Sequence, residues 1–98
     1  MTNQDKFISN LVRLYRGGYR NRAIDLMTFC QRNGADYTEI ESFAARLKAE
    51  GSAVEAFGRH SFKLTDPGFL KYSERVEVLD HTERGGVDFI YPDPASHD

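Results

Sequence analysis

Two short segments constrain this chain more than anything else in it. They are Leu47-Lys-Ala-Glu-Gly51 and, thirteen residues after that glycine, Leu64-Thr-Asp-Pro-Gly68. The first closes an amphipathic helix: Ile40, Phe43, Ala44 and Leu47 recur at helical spacing, and Gly51 supplies a residue that readily leaves the helical conformation. The second opens another helix, because Pro67 suits a first turn that follows Thr65 or Asp66 as cap. Between them Phe62 and Leu64 alternate with Ser61, Lys63 and Thr65, the pattern of a half-buried strand. Ala53, Val54, Ala56 and Phe57 provide a partner strand, and Gly58 a permissive turn position. The order is therefore helix, hairpin, helix.

Upstream, Phe7, Ile8, Leu11, Val12, Leu14 and Tyr15 form the apolar stripe of a first helix, with Lys6, Asn10 and Arg13 between them. Gly17-Gly18 ends it. A second helix is predicted from about Tyr19 or Asn21 to Arg32, with Ala23, Leu26, Met27 and Cys30 on one stripe and Asn33-Gly34 as its stop. The third helix opens on one of two capping boxes, Asp36 with Glu39 or Thr38 with Glu41. The link between helices two and three is so short that they must meet at a steep angle, as in a helix–turn–helix. Beyond residue 75 two readings stand: a second hairpin around Thr82-Glu-Arg-Gly-Gly86, or helix to about Asp80 followed by an extended arm. One domain over residues 1–91 and a disordered acidic tail over 92–98 are expected.

Charge is unevenly spread. Residues 1–63 hold ten Lys/Arg against seven Asp/Glu, a balance of +3, and residues 64–98 hold three against eight, a balance of −5. A mildly basic body fits nucleic-acid binding only in part. No apolar run approaches the roughly 20 residues of a membrane span. The first six residues lack the basic-then-apolar order of a signal peptide, and Cys30 has no partner for a disulfide, so a cytoplasmic protein is expected. Cys30 itself sits on an apolar stripe, where it reads as a small buried hydrophobe.

Catalysis finds little support. There is no glycine-rich phosphate loop, no nucleophile elbow and no Cys/His spacing for a metal. His60, His81 and His97 are scattered, and Gly85-Gly86 follows no strand that would make it a phosphate cradle. No enzyme, cofactor or metal site is expected.

The helix ending at Gly51, the hairpin, and Leu64-Thr65-Asp66-Pro67-Gly68 after it together resemble the winged helix–turn–helix superfamily, over about residues 5–75. The resemblance implies an α+β fold of three helices, a β-hairpin wing and a trailing C-terminal helix. It also implies a bacterial or phage regulator, dimeric through its first helix or the segment after Phe69, that reads double-stranded DNA. DNA contact would then fall to Thr38, Ser42 and Arg46 on the third helix and to Arg59, His60 and Lys63 on the wing. The outward positions of that helix are Thr38, Glu41, Ser42, Ala45, Arg46 and Lys48. Glu39 and Glu41 oppose a phosphate-lined groove, and helix-dipole complementarity explains their place as well. Arg13, Arg16, Arg20, Arg22 and Arg32 form a denser basic cluster that serves either solubility or phosphate contact. The competing reading is a winged-helix protein-interaction module, an adaptor or anti-repressor, which the near-neutral charge and the aromatics Phe69, Tyr72, Phe89 and Tyr91 also suit.

Overall fold

The computed structural model describes residues 2–17, 22–56, 60–80 and 90–92. Its first helix, α1 (Asn3–Arg16), starts on a capping box in which the Asp5 amide donates to Thr2 Oγ1 at 3.0 Å and the Asp5 carboxylate accepts from the Thr2 amide. Phe7, Ile8, Leu11, Val12 and Leu14 are all at most 1% exposed, so the predicted stripe is the centre of the core. Burying each such side chain contributes on the order of 2 kcal/mol. Asn10, expected among the polar positions, is also buried, and its Nδ2 donates to the Lys6 carbonyl at 3.0 Å.

The next element corrects the sequence reading. Arg22–Asp25 is a strand, β1, and helix α2 spans only Leu26–Asn33. Four residues of strand cannot announce themselves against the helical spacing of Ala23, Leu26, Met27 and Cys30. Asp25 then caps α2, its carboxylate accepting from the Thr28 amide at 3.0 Å. Met27, expected on the buried stripe, is 55% exposed, whereas Cys30 is buried and burial pushes its thiol pKa up. Gly34 closes α2 in the left-handed conformation (φ 60°).

After Ala35 and Asp36 the chain enters α3 (Tyr37–Ala49), capped by Asp36 through a 2.9 Å bond from the Glu39 amide. Of the two registers, Asp36 with Glu39 is the one observed, in half: the Glu39 carboxylate accepts instead from Gln4 Nε2 of α1. Ile40, Phe43, Ala44 and Leu47 are buried as their spacing requires. Gly51, at φ 83°, turns the chain out of α3.

Strands β2 (Ala53–Glu55) and β3 (Ser61–Leu64) follow as the expected hairpin, with Ala53 opposite Leu64 and Glu55 opposite Phe62. Phe62 and Leu64 point into the core, while Ser61 and Lys63 alternate with them. Phe57, Gly58 and Arg59 lie outside the described residues. β3 also pairs antiparallel with β1, Ile24 opposite Phe62, so β3 lies between β2 and β1 in the antiparallel sheet.

Helix α4 (Asp66–Asp80) begins at a tightly built joint. Thr65 Oγ1 accepts from the Gly68 amide at 3.1 Å and donates to the Gly51 carbonyl at 2.6 Å, and the Thr65 amide donates to the Ser52 carbonyl. Thr65 is thus the cap, and the Leu64–Gly68 motif describes how α4 seats on the end of α3. The helix packs back on α1, with Tyr15 and Phe69 stacked at 4.4 Å and the Tyr15 hydroxyl bonded to Asp66. Of the two readings for the C-terminal region, helix to Asp80 is the one found. Strand β4 (Ile90–Pro92) then pairs antiparallel with the other edge of β1, so Pro92, expected in the tail, ends a strand. Residues 81–89 and 93–98 lie outside the described residues. The molecule is therefore α+β, and among the described residues no helix is long and apolar enough to cross a membrane.

Glu50 locks the α3–α4 joint. One of its carboxylate oxygens accepts from Ser52 Oγ at 2.6 Å, Tyr72 Oη at 2.8 Å and Lys71 Nζ at 3.1 Å. These donors, Ser52 first and Tyr72 next, pull its pKa down to about 2. A folded-state pKa below the unfolded one stabilises above the unfolded value, and that stability is lost as pH falls through the folded value. The joint should therefore weaken between about pH 5 and pH 2. The loss is about 1 kcal/mol, because the Glu50 side chain keeps 27% of its surface in water. Urea unfolding midpoints across that range should fall more steeply for the natural chain than for Glu50→Gln; parallel curves would remove the lock.

Candidate nucleic-acid interface

The buried stripe of α3 fixes which side chains it presents outward. With Ile40, Phe43, Ala44 and Leu47 turned into the core, Thr38, Glu41, Ser42, Ala45, Arg46 and Lys48 are exposed, the same six that the spacing assigns. Thr38, Ser42 and Arg46 stand one turn apart along a single line. The Arg46 guanidinium rests 5.1 Å from the centroid of the Phe43 ring, which holds its aliphatic stem against the helix and leaves the charge at the surface.

Beside that line, α3 and the hairpin enclose an open groove of about 630 Å³. Its α3 wall is Glu41, Ser42, Ala45, Lys48 and Ala49; the hairpin contributes Glu55, His60 and Phe62, over Leu26 of α2. Two residues predicted from separate elements, Ser42 and His60, thus meet in one place. Lys48 closes across the groove onto Glu55 at 2.5 Å, and this bond holds the Glu55 carboxyl below the ordinary carboxylate range. Glu41 remains as the groove's second carboxylate.

His60 has the most constrained backbone of the set. It is the one described non-glycine residue at positive φ, 70°, and its carbonyl accepts from the Leu26 amide at 2.7 Å. That bond continues the β1–β3 pairing by one step and ties the hairpin to the start of α2. The His60 ring meets α3 through its Nδ1, 2.9 Å from Tyr37 Oη. Burial, and next the charge of Glu41, raise the Tyr37 hydroxyl pKa, so this group keeps its proton through the neutral range.

The remaining expected residues are placed differently. Lys63 alternates with the core-facing Phe62 and Leu64, stands on the other side of β3, and does not line the groove. Arg59 lies outside the described residues. In the basic cluster, the Arg16 guanidinium lies 5.9 Å from the centroid of Phe69, beside the Tyr15 stack, and Arg20 is not among the described residues. The sequence reading missed Tyr37, whose only local mark is its position just after the Asp36 cap. It also gave no role to Glu55. Each acquires its partner from another element, twenty-three residues away for Tyr37 and seven for Glu55.

No protein-family model matches the chain, nor does any curated protein or any solved structure.

Proposed function

We propose that this chain is a non-enzymatic winged-helix regulator that binds double-stranded DNA with α3 and the hairpin. Support for the fold reading comes from element order and pairing: α1, β1, α2, α3, β2, β3, with β3 between β2 and β1. The observation that carries the functional reading is the convergence of Ser42 and His60 on one groove beside the exposed line Thr38–Ser42–Arg46. A helix presenting hydroxyls and one guanidinium along a line can enter a major groove, where Arg and Ser/Thr meet base edges or phosphates. A dimer seam in this reading falls on the outer face of α4, where Leu70 is 78% exposed, because α1 spends its apolar stripe inside the protomer.

Binding to a mixed-sequence duplex, followed by fluorescence anisotropy as salt rises from about 50 mM, tests the proposal. A log–log slope of several units is expected, at roughly 0.9 per phosphate neutralised. Arg46→Ala should reduce the preference for a selected site over random DNA by roughly 1–3 kcal/mol.

A second reading has its own support. Glu41 and the closed Lys48–Glu55 pair leave the groove without net positive charge while His60 is neutral, which suits a protein partner better than a polyanion. Absence of duplex binding at about 50 mM salt would select this adaptor reading.

A further inference from the structure

Lys48 carries the cation that α3 turns toward the hairpin. It lines the groove beside Ser42, Ala45 and Ala49, and its Nζ crosses to Glu55 Oε1 of β2 at 2.5 Å. Glu41, the other acidic residue of the α3 wall, lies seven positions earlier, about 10 Å away along the axis. The ion pair therefore forms between two elements rather than along one helix. Ser42, Ala45 and Ala49 are short side chains, so the wall around Lys48 offers little bulk to keep a ligand from its ammonium.

The chemistry of this pair makes it releasable. Lys48 and Glu55 keep 55% and 34% of their side-chain surface in water, so parting them leaves no buried, uncompensated charge. An exposed ion pair shifts an equilibrium by no more than about fivefold, because solvent screens it and two flexible side chains must be held still. Lysine is also a point charge on a four-carbon stem, able to turn toward another anion while α3 stays in place. The Lys71–Glu50 pair is built differently. Its carboxylate also accepts from Ser52 Oγ at 2.6 Å and Tyr72 Oη at 2.8 Å, so losing the lysine leaves that joint fastened, and neither residue lines the groove.

A duplex laid along Thr38, Ser42 and Arg46 brings a row of phosphates past the last turn of α3, where Lys48 stands two residues after Arg46. A phosphate there competes with Glu55 for the ammonium. Each phosphate so neutralised releases roughly 0.9 of a condensed counterion, a gain that the Glu55 contact does not offer.

We propose that Lys48 is a phosphate-contacting residue of the α3–hairpin face and that Glu55 is its latch: the closed pair holds the ammonium in the free protein, and a duplex phosphate takes it over. This rests on the DNA-binding reading given above and adds a contact and a brake to it. The opposing arrangement is a pair that ties the hairpin to α3 and stays closed when DNA binds.

The test compares the full natural chain with Lys48→Met and Glu55→Gln for binding to a mixed-sequence duplex, at fixed pH, as salt rises from about 50 mM. Lys48→Met keeps most of the stem and removes the charge; Glu55→Gln keeps the shape and removes the latch. Lys48→Met should weaken binding to selected and random duplexes alike and make the log–log slope shallower by about 0.9. Glu55→Gln should leave the slope unchanged, because Lys48 reaches its phosphate in both proteins, and tighten binding by roughly threefold. Both side chains are exposed, so melting temperatures should stay within about 5 °C of the natural chain.

An unchanged slope in Lys48→Met, or a steeper slope or weaker binding in Glu55→Gln, means that the pair stays closed on DNA. Any of these overturns the proposal and leaves the DNA reading standing. A larger fall in melting temperature identifies a structural tie and overturns the latch in the same way. No duplex binding by any of the three proteins overturns both.

Discussion

Gly68→Ala is expected to destabilise the protein by about 3 kcal/mol, at the upper end of the overpacking range. A Cβ built on Gly68 lies 1.9 Å from the Ser52 carbonyl oxygen and 2.7 Å from its carbon. The obstruction is backbone, so no side-chain rotation relieves it. Ser52 cannot retreat cheaply, since its carbonyl accepts from the Thr65 amide and its own amide donates to the Leu47 carbonyl at 2.8 Å. Either α4 lifts from the joint, breaking the Thr65 cap, or the turn after α3 distorts. Thermal unfolding should shift down by roughly 12 to 24 °C, taking 4–8 °C per kcal/mol for a domain of this size. A shift within 3 °C of the natural chain would mean that α4 is not seated as described.

Phe7→Ala should cost about 4 kcal/mol. Phe7 is fully buried and makes edge-on contacts with Phe29 of α2 at 5.2 Å and Phe43 of α3 at 6.2 Å, so one ring fastens three helices. Its removal leaves a cavity at their meeting point, which backbone held by three separate caps cannot easily fill. Urea unfolding should give a much lower midpoint with an unchanged slope, the sign of lost stability without a changed folded state. A loss below about 1.5 kcal/mol would mean that the ring is not central to the core.

The parts of this fold that were legible in the sequence are those specified by neighbours in the chain. The stripe Ile40–Phe43–Ala44–Leu47 needs only its own spacing to become the inner face of α3, and by exclusion it exposes Thr38, Ser42 and Arg46. The stops at Gly34 and Gly51 are likewise local, both residues taking positive φ. Strand β1 was not legible because its identity is conferred by β3 and β4, each far along the chain. Ala23 and Ile24 are both buried though adjacent, which breaks the alternation of an amphipathic strand and suits a helix stripe equally well. The one local hint was Asp25, a good cap residue three positions before Thr28, placing the true start of α2 later than the apolar spacing suggests.

The candidate site divides in the same way. Its α3 half follows from helical geometry, and its hairpin half does not. Ser61 and Lys63 alternate as a strand requires, but that alternation alone does not reveal that Lys63 faces away while His60, at the turn, reaches back to Tyr37. The neutralising reach of Lys48 onto Glu55 is equally invisible, because it depends on how the hairpin lies against α3. The sequence counts both as ordinary surface charges; in the fold they set the electrostatic character of the groove.

Mapping backbone amide shifts during titration with a short duplex at about 50 mM salt tests the central claim most directly. The account predicts that the largest perturbations fall along Thr38, Ser42 and Arg46 on α3 and at His60 on the hairpin, fading as salt rises. Perturbations centred on α4 or on the basic residues of α1 and β1, with α3 unmoved, would contradict it.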